Sequence, residues 1–214
     1  MICLFGGTFD PVHLGHVHGA RQVCSVLGLS QINMVLSARP GHRDAPGTSV
    51  AHRWRMLQLA CADDDRLIAD DSEIRRAAKG ERPSYTVDTL EELRRRAPEE
   101  KLLWVLGSDA FMELPTWHRW REVLNLAHLV VLKRPRARLA PSGELADLLR
   151  THRVYGPPET PCGGIICLEA EMQDVSATQV RAMLAAGSSA RDLLPATVYN
   201  YIKKHGLYGV LSDA

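Results

Sequence analysis

A short apolar run, Ile2-Cys3-Leu4-Phe5, breaks at Gly6-Gly7, and after Thr8-Phe9-Asp10-Pro11 the pattern changes to a helix beginning near Leu14. A buried strand that ends in paired glycines and feeds a helix start constrains this chain more than any other feature. Glycines allow backbone N–H groups to approach an anion with no Cβ in the way, and Asp10-Pro11 turns the chain into the helix. A helix N-terminus favours phosphate. His13 and His16 are three residues apart, so in a helical first turn both imidazoles project toward whatever the glycine turn holds.

The same alternation continues downstream and predicts an α/β fold: a Rossmann-like, doubly wound parallel sheet with helices on both faces and a small C-terminal helical portion. Ile32–Leu36 reads as the second strand, followed by a helix capped by Ser49 and running through Ala62, and Arg66–Ala69 as a weak third strand. Thr86–Arg96 reads as a helix, and Leu102–Leu106 and Leu129–Leu132 as strands that end in Gly107-Ser108-Asp109 and Lys133-Arg134-Pro135. Residues 1–214 are expected to be a single domain, with Arg136–Gly164 a peripheral excursion holding one helical piece at Glu144–Arg150 and residues 176–208 the C-terminal helical part. In such sheets ligands bind beyond the carboxyl ends of the strands.

Composition narrows the function. With 45% hydrophobic and 24% charged residues the chain has ample core, and its five cysteines form no CxxC pair, so free thiols and a reducing, cytoplasmic setting are expected. No apolar run reaches membrane-spanning length and no targeting segment is read, so no membrane partner is expected. The net charge of +1 hides a basic N-terminal stretch: Arg21, Arg39, Arg43, Arg53 and Arg55 stand against Asp10 and Asp44 in the first 60 residues. A local basic cluster suits a polyphosphate ligand better than a nucleic-acid duplex. Arg21 and Arg55 are expected at the solvated surface. His18 is two residues from His16 and points elsewhere, and no Cys or carboxylate stands at ligand spacing, so no protein-held metal is expected. Neither a P-loop nor a GxGxxG fingerprint occurs.

A second phosphate-directed segment is Val175-Ser176-Ala177-Thr178-Gln179-Val180-Arg181, which opens a helix ended by Gly187. Ser176 is a natural N-cap, and Thr178 and Arg181 lie on one side of the first turns, so hydroxyl, amides and guanidinium can converge on phosphate oxygens. Arg39-Pro40-Gly41-His42-Arg43, Ser84-Tyr85-Thr86 and Pro115-Thr116-Trp117-His118 are further candidate site segments. Trp117 offers a flat π-face to an aromatic ligand, and Asp109 is either a ribose ligand or the N-cap of a short helix.

Together these segments resemble the nucleotidyltransferase superfamily named for its HxGH motif, and GGTFDPxHxGH resembles the bacterial nicotinate-nucleotide adenylyltransferases. The resemblance runs from Ile2 to about Tyr208 and includes SYT, GxD followed by PTW, (I/V)S(S/A)TxxR, and the C-terminal Leu193-Leu194-Pro195 with its closing helix. It implies adenylyl transfer from ATP to nicotinate mononucleotide, with Mg²⁺ carried on ATP. His13 and His16 would then be catalytic, and Gly6, Gly7, Thr8, Phe9, Arg43, Arg134, Ser176, Thr178 and Arg181 would bind ATP and its phosphates. Thr86, Gly107, Asp109, Trp117 and His118 would line the mononucleotide end. The chain departs from the family at Gly41, where a second proline is usual, and at His118, often tyrosine. Another small-molecule adenylyltransferase, such as a phosphopantetheine enzyme, or a catalytically silent nucleotide-sensing module would share the turn. The oligomeric state is not readable.

Overall fold

The computed structural model describes residues 1–40, 46–80, 83–133, 139–169 and 175–210. Its first half alternates strand and helix: β1 (Ile2–Gly7), α1 (Leu14–Leu27), β2 (Ile32–Leu36), α2 (Val50–Cys61), β3 (Leu67–Asp70), α3 (Ser72–Ala77), α4 (Thr86–Arg96) and β4 (Leu102–Gly107). The second half continues with α5 (Ser108–Met112), α6 (Val123–Leu126), β5 (His128–Lys133), α7 (Gly143–His152), β6 (Ile165–Glu169), α8 (Ala177–Ala185) and α9 (Ala196–Lys204). The described strands form one parallel sheet in the order β3-β2-β1-β4-β5-β6. The order reverses direction between β1 and β4, and a crevice at such a switch point is where open α/β sheets take ligands.

Both faces of the sheet are apolar because successive strand residues point opposite ways. Cys3, Phe5, Leu103, Val105, Val130 and Ile166 face a core shared with α1, α2, α8 and α9. Leu4, Trp104, Leu106, Leu129, Val131 and Ile165 face the other core, with Leu90 of α4, Phe111 of α5, Val123 of α6 and Leu145 of α7. The near-continuous apolar strands of the sequence follow from this double coverage.

One expectation requires correction. The segment 136–164 was expected to stand off the fold, yet its helix α7 buries Leu145 and is the crossover from β5 to β6. β6 itself, paired with β5 from Leu129↔Ile165 to Lys133↔Glu169, is a strand the sequence reading lacked. Its entry is tight: a Cβ on Gly164 would stand 2.7 Å from Val154 Cγ2 and 2.8 Å from His128 Nδ1. No helix among the described residues is long and apolar enough to cross a membrane.

Candidate active site

The N-terminal turn leaves the sheet at the carboxyl end of β1. Its glycines also answer a need that the sequence alone does not reveal. A Cβ on Gly6 would lie 2.2 Å from Trp104 Cζ2, and one on Gly7 would lie 2.7 Å from Phe9 Cε1. Internal packing therefore leaves no room for a Cβ at either position. Phe9 has φ 48° and is buried, a left-handed backbone that costs a non-glycine residue about 1–2 kcal/mol and is held here by its enclosed ring. That ring stands edge-on to Phe5 at 6.1 Å and to His16 at 4.9 Å.

His13 is the N-cap of α1 and is 3% exposed, while His16 occupies the third helical position. The two imidazoles stack at 3.7 Å with 25° between planes, so they do share one face. The His13 backbone N–H donates to His16 Nδ1 at 3.3 Å. An imidazole that accepts at Nδ1 in its neutral form carries its proton on Nε2, which makes His16 Nε2–H a donor.

Asp10 ties this turn to the C-terminal segment. Tyr208 Oη donates to Asp10 Oδ1 at 2.6 Å, the Gly47 N–H donates to Oδ2 at 2.6 Å, and Arg181 Nη1 donates to the Asp10 carbonyl at 2.7 Å. Burial, then the Asp10 carboxylate, pushes the Tyr208 phenol well above its ordinary range, so it remains a donor. Ser176 caps α8 as expected, accepting from the Gln179 N–H at 3.1 Å. Arg181 Nη2 reaches Thr178 Oγ1 at 3.4 Å. Residues 171 positions apart in sequence thus form one hydrogen-bonded cluster at the start of two helices.

Beneath the turn lies a residue that the sequence reading counted in the basic cluster but gave no role. Arg53 of α2 is 1% exposed; its Nη1 donates to the carbonyls of Thr8 at 2.9 Å and Ser37 at 2.7 Å, and its Nη2 to that of Ala38 at 3.0 Å. A signal for it existed: Arg53 stands on the same helical stripe as Met56, Leu57 and Ala60, all buried. Arg55 is exposed as expected, and Arg21 is half-buried against Asp64 at 2.7 Å.

The segments expected at the mononucleotide end meet one another. His118 stacks on Tyr85 at 4.3 Å, which brings the Pro115–His118 loop onto the Ser84–Thr86 segment. Trp117 is half-buried against the second core, and Thr86 is the first residue of α4. Ser84 forms a parallel bridge with Pro40, its N–H donating to the Arg39 carbonyl at 2.8 Å and its Oγ accepting from the Arg39 N–H at 3.3 Å. Below them is a second residue the sequence did not single out. Glu73 is buried and accepts from Thr89 Oγ1 at 3.0 Å, and Arg76 donates to the same hydroxyl at 2.9 Å. Burial pushes the Glu73 carboxyl up, against the opposing pull of Thr89, Ser84, Arg76 and the Ala38 N–H.

Gly107 ends β4 beside β1, and a Cβ there would meet nothing within 4 Å, so the strand end opens on free space. Gly107, and not Asp109, is the N-cap of α5; Asp109 lies exposed in its first turn. His42, Arg43 and Arg134, expected near the phosphates, lie outside the described residues. Among the described residues no group of three or more His, Cys, Asp or Glu is placed to hold a metal ion.

A parallel sheet reversing at β1 and β4, with stacked histidines and a capped Ser-Ala-Thr helix at its carboxyl edge, defines a nucleotidyltransferase-type α/β protein. The family model for cytidylyltransferase-like proteins matches residues 4–183, and the chain belongs to that family and, within it, to the nicotinate-nucleotide adenylyltransferases. A probable nicotinate-nucleotide adenylyltransferase of Pseudomonas fluorescens is 45% identical over 97% of this chain and 96% of its own length. Its counterpart in Pseudomonas aeruginosa is 44% identical over the same shares. Among solved structures, the nicotinic acid mononucleotide adenylyltransferase of Plasmodium falciparum complexed with NaAD shares the fold at TM-score 0.73, with 17% identity, covering 97% of this chain and 96% of that one.

Proposed function

We propose that this protein transfers the adenylyl group of ATP to nicotinate mononucleotide, giving nicotinate adenine dinucleotide and pyrophosphate, a step of NAD biosynthesis. The observation that carries the reading is the junction of the two phosphate-directed motifs through Asp10, with Arg181 Nη1 2.7 Å from its carbonyl, in a chain 45% identical to an enzyme of that name.

The acceptor's 5′-phosphate oxygen attacks the α-phosphorus in line, and the bond from that phosphorus to the α,β-bridging oxygen breaks. The attacking phosphate is already ionised at neutral pH, so no protein base or nucleophile is required. Catalysis then rests on alignment and on donors placed where charge grows. His16 Nε2–H and the His13 imidazole stabilise the transferring phosphoryl group. Thr178, Arg181 and the capped α8 start hold the departing β,γ-phosphates, with Arg43 and Arg134 adding charge. Gly6, Gly7, Thr8 and Phe9 supply the backbone of the ATP-side turn. The site is lined by imidazole, guanidinium and amide groups, and Asp10, its buried carboxylate, is engaged by Tyr208 and Gly47. Mg²⁺ therefore enters as part of the MgATP substrate, held by phosphate and water oxygens.

On the acceptor side, Trp117 provides the face for the pyridine ring and Thr86, Gly107, Asp109 and His118 its surroundings. A carboxylate there gains charge-assisted bonds from backbone N–H groups, whereas an amide sets donor against donor. The test is turnover of the purified protein with MgATP and each pyridine mononucleotide. Pyrophosphate and the acid dinucleotide are expected, with kcat/KM for the amide roughly ten- to a hundredfold lower. No turnover with nicotinate mononucleotide would overturn the assignment, and equal kcat/KM would overturn the selectivity alone.

A further inference from the structure

We propose that Arg53 is the positioning residue that sets the ATP half of the site in register with the mononucleotide half, an inference that rests on the reaction proposed above. The guanidinium fork gathers three carbonyls from two strand ends: Thr8 after β1, and Ser37 and Ala38 after β2. Each of those carbonyls belongs to a planar trans peptide whose N–H points the opposite way. The Thr8 peptide carries the Phe9 N–H, inside the turn that receives ATP. The Ser37 peptide carries the Ala38 N–H, which faces Glu73. The Ala38 peptide carries the Arg39 N–H, which donates to Ser84 Oγ at 3.3 Å, in the segment that receives the mononucleotide. One side chain thereby fixes peptide planes in both the turn after β1 and the segment after β2 that meets Ser84.

The energetics favour a dedicated role. A buried guanidinium is costly to desolvate, and among the described residues no carboxylate lies within ion-pair distance of it. Burial accordingly pulls its pKa down, with Asp10 nearby opposing. A helix whose stripe continues Met56, Leu57 and Ala60 would gain more from an apolar residue at position 53 if packing were the whole requirement. Lysine cannot replace it: a point charge has no planar fork to hold three carbonyls at fixed angles.

In-line transfer depends on alignment, where a displacement of about 1 Å costs on the order of a hundredfold in rate. Arg53→Met, which removes charge and fork at similar volume, is expected to lower kcat about 100-fold at saturating substrates, and Arg53→Lys, which keeps the charge, about tenfold. The Kd of each substrate bound alone should change less than about threefold, because each half-site persists and only their register is lost. In parallel, hydrogen exchange of the ligand-free protein should speed up at least about tenfold over residues 7–10, 37–39 and 83–86 together, with β5 unaffected. Should Arg53→Met fail to fold, Arg53→Lys carries the test. An unchanged kcat, a loss confined to one substrate's Kd, or faster exchange at only one of the two strand ends would overturn the proposal. The unmodified protein is assayed alongside. If it shows no turnover, the reaction is at fault, and the exchange data still decide the role of Arg53.

Discussion

Gly6→Ala separates two reasons for a glycine at the end of β1. The added Cβ would stand 2.2 Å from Trp104 Cζ2, 2.8 Å from Cη2 and 3.0 Å from Cε2. Carbon atoms rest at about 3.5–4.0 Å, so the nearest pair must separate by roughly 1.3 Å. Trp104 is 3% exposed and packed among Leu4, Leu106 and Leu129, and a ring so enclosed does not swing aside at low cost. Overpacking of this kind costs about 1–3 kcal/mol, which for a chain of this size is a fall in Tm of roughly 2–12 °C. Trp104→Phe withdraws the benzo edge of the indole and leaves a cavity that the alanine methyl partly fills. In the double variant the two losses should offset by at least about 1 kcal/mol, read as a coupling energy from urea unfolding of all four proteins. The same four are then assayed for KM(ATP), which should recover with stability in the double variant. Additive losses would refute the packing argument. A double variant with restored stability but KM(ATP) still raised tenfold would return Gly6 to the role of leaving space for an anion.

His16→Ala should lower kcat at least about 100-fold, the scale of one transition-state donor, while its lost stacking on His13 and edge contact with Phe9 cost about 2–4 °C in Tm; near-native kcat would remove His16 from the chemistry. Arg181→Lys keeps the charge but loses the fork that spans Thr178 and the Asp10 carbonyl, so KM(ATP) should rise with KM for the mononucleotide little changed; equal changes would detach α8 from the triphosphate. His128 is fully buried, accepting from the Gly164 N–H at Nδ1 and facing the Thr160 carbonyl at Nε2; burial, then Arg94 and Lys101 against the pull of Thr160, lowers its pKa. Its folded pKa lies below the unfolded value of about 6.5, so the unfolded chain binds the proton first and stability is lost as pH falls below about 6.5, by at most about 1.4 kcal/mol per unit. Urea midpoints from pH 7.5 to 5.5 should fall more steeply in the unmodified protein than in His128→Leu, and equal slopes would refute the assignment.

The elements were legible where one periodic or apolar run sits between clean turn signals. Ile32–Leu36 and Thr86–Arg96 match the expected bounds. β6 was missed although Ile165-Ile166-Cys167-Leu168 is as apolar as the run that opens β1. Its flank of Pro157, Pro158, Pro161, Gly163 and Gly164 reads as loop, and only the pairing with β5 shows that this loop returns the chain to the sheet edge. α3, six residues long, is shorter than the two turns that a periodicity needs to declare itself.

For the site, the decisive difference is between local and long-range geometry. His13, His16, Thr178 and Arg181 belong to contiguous segments, so their chemistry is visible in the order of the residues. Arg53, Glu73 and Tyr208 matter because of what they touch 45, 16 and 198 residues away, and no single segment reports such a contact. What the sequence does hold is an inconsistency: an arginine at position 53 on the buried stripe of α2, where the rest of the stripe is Met56, Leu57 and Ala60. A charge written into an apolar face is expensive unless carbonyls are waiting for it. The carbonyls it meets are those of the peptides that leave β1 and β2 at the carboxyl edge of the sheet, just past Gly7↔Leu36, where the ladder between the two strands ends. The same deficit that obliges the fold to bury a cation there also frees the outward N–H groups that a phosphate needs.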